Sequence, residues 1–264
     1  MICFFSATGN SRYVAEELSG RLGDNRLVDL SAFMKRNDAE KTLCVDPGER
    51  IGFVFPVHSW GLPKMLGEVI ASLSFSGYSP ESNYCYMLCT CGDDAGRTYF
   101  QWKAAVARCG LTGDAAFSVF MPNTYVLLPG FDVDDKTTEE RKLHNAPFAV
   151  GRTAQRIKTG VKGDLTFHGR FSRLKSDVIY PLFMRSVSDK PFRVDTSGCV
   201  GCGLCARLCP TGNIKMERDA SGRQRPTWHG NCLNCLACYH GCPAGSIAFG
   251  RRTSGKGRYF LRRD

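Results

Sequence analysis

The 264-residue chain has no run approaching 18 apolar residues, and its first residues, Met1-Ile2-Cys3-Phe4-Phe5, carry neither a basic segment nor a signal-like apolar stretch. The expectation is a protein with no membrane partner that works in the cytoplasm, where thiols stay reduced. Two nucleotide loops are also missing: neither G-x-x-x-x-G-K-[ST] nor G-x-G-x-x-G occurs, so direct use of a nicotinamide dinucleotide is not expected. No nucleic-acid recognition motif accompanies the net charge of +10, and nucleic acid is not expected as a partner. From Lys190 onward there are thirteen Lys and Arg against four Asp and Glu, leaving only +1 for the first 189 residues. The middle of the chain has no cysteine between Cys109 and Cys199, whereas eight of the fourteen fall between Cys199 and Cys242. Clustering of that kind indicates metal ligands and not a disulfide framework.

Those eight form a repeat. Cys199-x-x-Cys202-x-x-Cys205-x-x-x-Cys209-Pro210 recurs as Cys232-x-x-Cys235-x-x-Cys238-x-x-x-Cys242-Pro243, and the same offset carries Gly212 to Gly245 and Ile214 to Ile247. Three cysteines spaced three apart wrap a tight loop around one iron–sulfur cube, whose fourth iron takes a ligand from elsewhere. Zinc modules usually present two Cys-x-x-Cys pairs parted by a longer loop, often with histidine, which does not fit two triplets each followed by Cys-Pro. His229 and His240 are read as solvated or packed residues. The segment resembles the two-cluster bacterial ferredoxins over its whole length. That resemblance implies a crossed ligand set: Cys199, Cys202, Cys205 and Cys242 on one [4Fe–4S] cluster, and Cys232, Cys235, Cys238 and Cys209 on the other.

Toward the other end, short apolar runs alternate with amphipathic stretches. Strands are expected at residues 1–5, 26–30, 51–55, 84–90 and 115–121, and helices at 10–22, 63–73 and 97–109. Strand and helix in alternation argue a parallel sheet covered on both faces. After the first strand comes Ser6-Ala7-Thr8-Gly9-Asn10-Ser11, a loop of hydroxyls and small residues opening straight into a helix, where exposed backbone amides form a cup for a phosphate. This loop has the S-x-T-G-N-[TS] form of flavodoxins, and the first 125 residues or so resemble that family. The resemblance implies a doubly wound, five-stranded parallel sheet binding flavin mononucleotide (FMN). It also implies ring contacts from Pro56, Val57, His58, Ser59 and Trp60, and from Thr90, Cys91 and Gly92. Trp60 suits either stacking on the flavin or packing, and Asn123, Thr124 and Tyr125 follow strand five toward the same pocket. Cys91 stands where many flavodoxins have an aromatic residue.

The expected organisation is therefore a flavodoxin-like FMN-binding domain at 1–126, a helical or irregular connection at 127–189 in which Pro147 and Gly151 break or bend a helix over 141–158, and a small α+β ferredoxin domain at 190–264. The combination resembles flavodoxin–ferredoxin fusion proteins of anaerobic microbes. It implies an electron-transfer iron–sulfur flavoprotein that passes electrons between a redox partner, two [4Fe–4S] clusters and FMN. A flavin-dependent reductase of a quinone or nitro compound, and a redox-sensing binding module, are the other classes. Two clusters of about −2 each bring the basic module to roughly +5. The remaining Arg251, Arg252, Lys256, Arg258, Arg262 and Arg263 read either as a docking face for an acidic redox partner or as a solvated, flexible tail.

Overall fold

The computed structural model describes residues 1–23, 26–35 and 41–262. Apolar runs at the start of the chain become the strands of one sheet because both of its faces are buried. In β1 (Ile2–Phe4) Cys3 points into one core while Ile2 and Phe4 point into the other. Helix α1 (Asn10–Leu22) returns to β2 (Leu27–Asp29) and the short α2 (Ser31–Lys35). Next come β3 (Thr42–Cys44), β4 (Arg50–Pro56), α3 (Leu66–Ala71), β5 (Ser74–Ser76), β6 (Tyr84–Cys91), α4 (Thr98–Arg108) and β7 (Ala115–Phe120). The main sheet runs β2-β1-β4-β6-β7-β8 with every pairing parallel. Among the described residues it has six strands and not the expected five: β8 (Gly163–Leu165) pairs with β7 through three residues. Strands β3 and β5 form a separate parallel pair.

The connecting segment builds more structure than expected. Asp135 caps α5 (Lys136–Lys158) by accepting from the Thr138 amide, and the helix runs unbroken through Pro147 and Gly151. Its apolar stripe, Ala146, Val150, Ala154 and Ile157, is buried in the core that α1 also covers. That burial outweighs the hydrogen bond Pro147 cannot make. Gly151 lets Arg21 pass close against the helix, where a Cβ would stand 2.9 Å from the guanidinium. A π-helical turn (Leu174–Ile179) leads into α6 (Tyr180–Ser186). This stretch is tied to the sheet domain: Tyr180 donates to the Leu62 carbonyl, Ser176 to that of Trp60, and Lys175 pairs with Asp94 at 2.5 Å.

The cysteine-rich module closes on itself through β9 (Phe192–Val194), which pairs antiparallel with β12 (Ile247–Phe249). Between them lie α7 (Leu204–Leu208), the hairpin β10 (Ile214–Arg218) and β11 (Gln224–Trp228), and α8 (Ala237–His240). The sequence repeat is a backbone repeat as well. Left-handed residues recur at the same offset: Gly201 (φ 69°) and Asn234 (φ 50°), Gly203 (φ 72°) and Leu236 (φ 60°), Gly212 and Gly245 (both φ 64°). The second loop thus holds Asn234 and Leu236 where the first has glycine, and a bulky residue such as leucine adopts that conformation only when its surroundings hold it there.

Candidate functional site

The carboxyl ends of β1, β4, β6 and β7 open on one cavity. Ser6, Ala7, Thr8, Asn10 and Ser11 line it, with Pro56, Val57, His58 and Ser59 after β4, Thr90, Cys91 and Gly92 at the end of β6, and 121–125 after β7. Trp60 stands apart, in an adjoining cavity of about 530 Å³ with Asp93, Asp94, Leu128 and Phe131. Its ring is engaged by the Lys175 ammonium, 5.1 Å from the centroid. Gly9 does not line the cavity. It turns the chain into α1 with φ 98°, a conformation glycine adopts freely, and a Cβ there would overlap the Leu261 carbonyl.

Side chains in the first loop divide into braces and free donors. Asn10 donates to the Pro122 carbonyl at 2.9 Å and accepts from the Tyr259 hydroxyl at 2.8 Å, while Ser11 shares a 2.8 Å hydrogen bond with Thr90. The Ser6 hydroxyl is buried and has no partner among the described residues. Helix α1 also begins with no side-chain cap and no acidic residue in its first turn, so its leading amides remain for a ligand. An orphaned hydroxyl beside an uncapped helix start suits a phosphate, and the adjoining space suits a planar ring system. Enclosure by protein pushes the His58 imidazole down to about 4, so it is neutral there, and burial holds the Cys91 thiol protonated, which makes it a small wall residue and not a nucleophile.

The cavity has one wall that does not come from the sheet domain. Asn234, Cys235 and Leu236 face it from the cysteine module, and Phe183 of α6 closes another side. Leu233, 2% exposed, is packed into the sheet domain's own core, with Cys235 against it. In return Val126 and Leu127 lie in the module's core. His240 ties α8 across this seam: its Nε2 donates to the Thr124 carbonyl at 2.7 Å while its Nδ1 accepts from the Tyr259 amide at 3.2 Å. That pattern fixes a neutral tautomer, in keeping with burial that pushes its pKa down to about 4.

The basic tail is partly packed over its described residues: Arg251, Arg252 and Arg262 are exposed, whereas Lys256, Arg258, Tyr259 and Leu261 make contacts with the rest of the chain. Leu261 donates its amide to the Thr8 carbonyl at 2.9 Å, so this segment lies against the first loop. Arg258 is spent on the Tyr239, Gly245 and Ile247 carbonyls and on the Tyr239 ring, and Lys256 donates to the Phe131 carbonyl at 2.7 Å. Arg263 lies outside the described residues.

The eight clustered cysteines fall into two sets in space. Cys199, Cys202, Cys205 and Cys242 line one cavity of about 340 Å³, walled otherwise by Val200, Met216, Pro226, Pro243, Ala244 and Ile247. Cys209 lies within electrostatic reach of Cys232, Cys235 and Cys238, and Cys238 is also within reach of Cys205. Burial pushes the thiols of Cys205 and Cys232 up to about 11 and that of Cys235 to about 12. Thiolates in such surroundings need a metal's positive charge, which is what iron supplies. Among the described residues no three His, Cys, Asp or Glu converge as ligands of a single ion would. Of the other six cysteines, Cys3, Cys85 and Cys89 sit in the sheet core and Cys109 packs against it, Cys91 walls the cavity, and Cys44 is exposed.

Residues 198–246 match the family model described as a 4Fe-4S dicluster domain. The chain therefore carries a ferredoxin-type module that binds [4Fe–4S] clusters, and the chemistry of that part is iron–sulfur electron transfer. No curated protein matches the chain. Among the described residues no helix is long and apolar enough to cross a membrane.

Two features of the site had no signal in the sequence. One is the wall formed by 234–236, because a cysteine that binds iron looks the same whether or not its loop faces another domain. The other is the tail, whose arginines suggest solvent while Tyr259 and Leu261 make its contacts.

Proposed function

We propose that the protein is an electron-transfer iron–sulfur flavoprotein in which an FMN held at the first loop and two [4Fe–4S] clusters exchange electrons within one chain. The observation that carries this reading is the shared cavity, whose walls are the phosphate-type loop on one side and the Cys235 loop on the other. Supporting it, the first five strands of the sheet follow the order of flavodoxin-like folds, in which ligands bind where the strand order reverses. When bound, the clusters supply one-electron steps and the flavin one- or two-electron steps. The chain's residues do the rest. Ser6, with the amides opening α1, holds the phosphate; the loops 56–59 and 90–92 enclose the ring; and 234–236 bring a cluster ligand to the cavity edge. Crossed ligation, with Cys242 joining Cys199, Cys202 and Cys205 and Cys209 joining Cys232, Cys235 and Cys238, belongs to the same proposal. So does an acidic redox protein as partner.

Anaerobically purified protein is expected to contain flavin together with iron and sulfide near eight of each per chain, as two cubes require. Partial chemical reduction should bleach the cluster and flavin bands together. Protein that takes up no FMN, or whose flavin stays oxidised while the clusters cycle, would sink the relay. A flavin-dependent reductase is favoured by the second cavity, since the space beside Trp60, Asp94 and Tyr125 adjoins the ring site and could admit a small substrate. Steady turnover of a quinone with a chemically reduced cluster module would select it.

A further inference from the structure

The two cysteine sets differ in what surrounds them. Cys235 and its neighbours are turned inward, with Leu233 in the sheet core and Asn234 to Leu236 on the cavity. Around the other set Cys202 is exposed, Val200 is 71% exposed, and Pro243 and Ala244 are exposed on the same rim. Val200, Pro243 and Ala244 together leave a small apolar patch over this cysteine set.

Positive charge rings this rim. The exposed Arg207 donates to the Cys202 carbonyl at 3.0 Å, so its guanidinium stands beside the exposed ligand. The hairpin presents Met216 and Pro226 to the cavity, and Arg218 and Gln224 pair with each other two positions further along the same face. Arg223, exposed at the turn, adjoins them. Of the nearby carboxylates, Asp219 is bound to Arg225 at 3.2 Å, Asp195 to Ser197, and Glu217 lies 3.5 Å from His229.

We propose that the rim Val200, Pro243 and Ala244, with Arg207, Arg218 and Arg223 around it, is the surface on which an acidic one-electron carrier protein docks. The cysteine set 199, 202, 205 and 242 is then the port, and the set around Cys235 is the inner station beside the cavity. This rests on the reading of the eight cysteines as ligands of two clusters, but not on the flavin. In the step that docking serves, the reduced carrier loses one electron and the outer cluster gains it; no covalent bond changes and no proton is required. A charged ring about an apolar centre steers encounter and lets the two redox groups approach closely. The tail, by contrast, has turned its Arg258 and Lys256 inward and supplies little of this face.

The test uses the reconstituted full chain and, as probe, an acidic [2Fe–2S] ferredoxin. Affinity is read by calorimetry at low and moderate salt, and electron transfer by the bleaching of the cluster band. The wild-type chain is expected to bind the probe with an affinity that falls as salt rises. Arg218→Glu with Arg223→Glu, and separately Val200→Glu, should each weaken binding by about tenfold or more at low salt. Iron and sulfide content and the rate with dithionite, which needs no docking, should be unchanged in both. Arg251→Glu with Arg252→Glu, in the turn that follows β12 and outside the lining of this cavity, should behave as wild type. Wild-type binding that salt does not affect or that is undetectable, rim variants that bind as wild type, or a loss confined to the Arg251/Arg252 variant would each overturn the proposal. Failure of the flavin reading would show separately, as protein without bound FMN whose rim still binds the probe.

Discussion

At the scale of single residues, the most informative atom in the first loop is the one with nothing to do. The Ser6 hydroxyl is buried and unpartnered among the described residues, whereas Asn10 and Ser11 are already committed to other parts of the chain. Ser6→Ala therefore removes no bond from the protein, and its thermal midpoint should not fall. FMN affinity should drop by roughly ten- to a hundredfold, the worth of one hydrogen bond to a charged group. Fluorescence titration of the flavin-free protein measures it, and an unchanged affinity would show that the hydroxyl does not meet the phosphate. His58 makes a different prediction. Its folded pKa, about 4, lies below its ordinary value of 6.5, so between those values the unfolded chain binds more protons than the folded one. Its contribution to stability is complete above about pH 6.5 and is lost as the pH falls toward 4. His58→Gln should flatten the pH dependence of the urea midpoint across that window; parallel curves would exclude His58 as a cause.

At the scale of elements, the loop of the second cysteine motif acts as a peg. Leu233→Ala leaves a hole in the sheet domain's core and should cost about 2–5 kcal/mol. Because the peg also sets Asn234 to Leu236 against the cavity, the same substitution should weaken flavin binding although Leu233 does not line the site. Urea unfolding followed by tyrosine fluorescence and by cluster absorbance gives the first quantity and flavin titration the second. A midpoint within error of wild type would mean that the peg is not anchored. Strands such as residues 51–55 and 84–90 were legible in the sequence because each is a run of residues apolar on both faces, and α1 because its apolar spacing and glycine ends agree. What local pattern could not carry was β8, three residues held only by β7, and the continuity of α5, where Pro147 argues for a break that a distant core overrules. The roles of Leu233 and Tyr259 escaped for the same reason: their partners lie hundreds of residues of sequence or a whole domain away.

At the scale of the whole molecule, the module and the sheet domain share the cavity, the peg, the His240 bridge and the tail that lies on the first loop. Removing iron should therefore be felt at the flavin. Cys232, Cys235 and Cys238 anchor the wall 234–236 only while something binds them together, so oxidative loss of the clusters with a chelator should loosen FMN by several-fold or release it. Equilibrium dialysis before and after chelation is the measurement, and equal affinity would mean the wall stands without its metal. The ligand spacing itself was plain from the sequence, since both motifs repeat without a gap. Which motif faces the cavity and which faces outward was not, because repetition makes the two copies look alike.

That likeness is incomplete in one respect. The outward copy keeps glycine at positions 201 and 203, where the backbone is left-handed, and the inward copy has Asn234 and Leu236 in the same conformations. The copy with the non-glycine residues is the enclosed one, its Asn234 and Leu236 on the cavity wall, so there the surroundings hold a conformation that glycine adopts unaided in the outward copy.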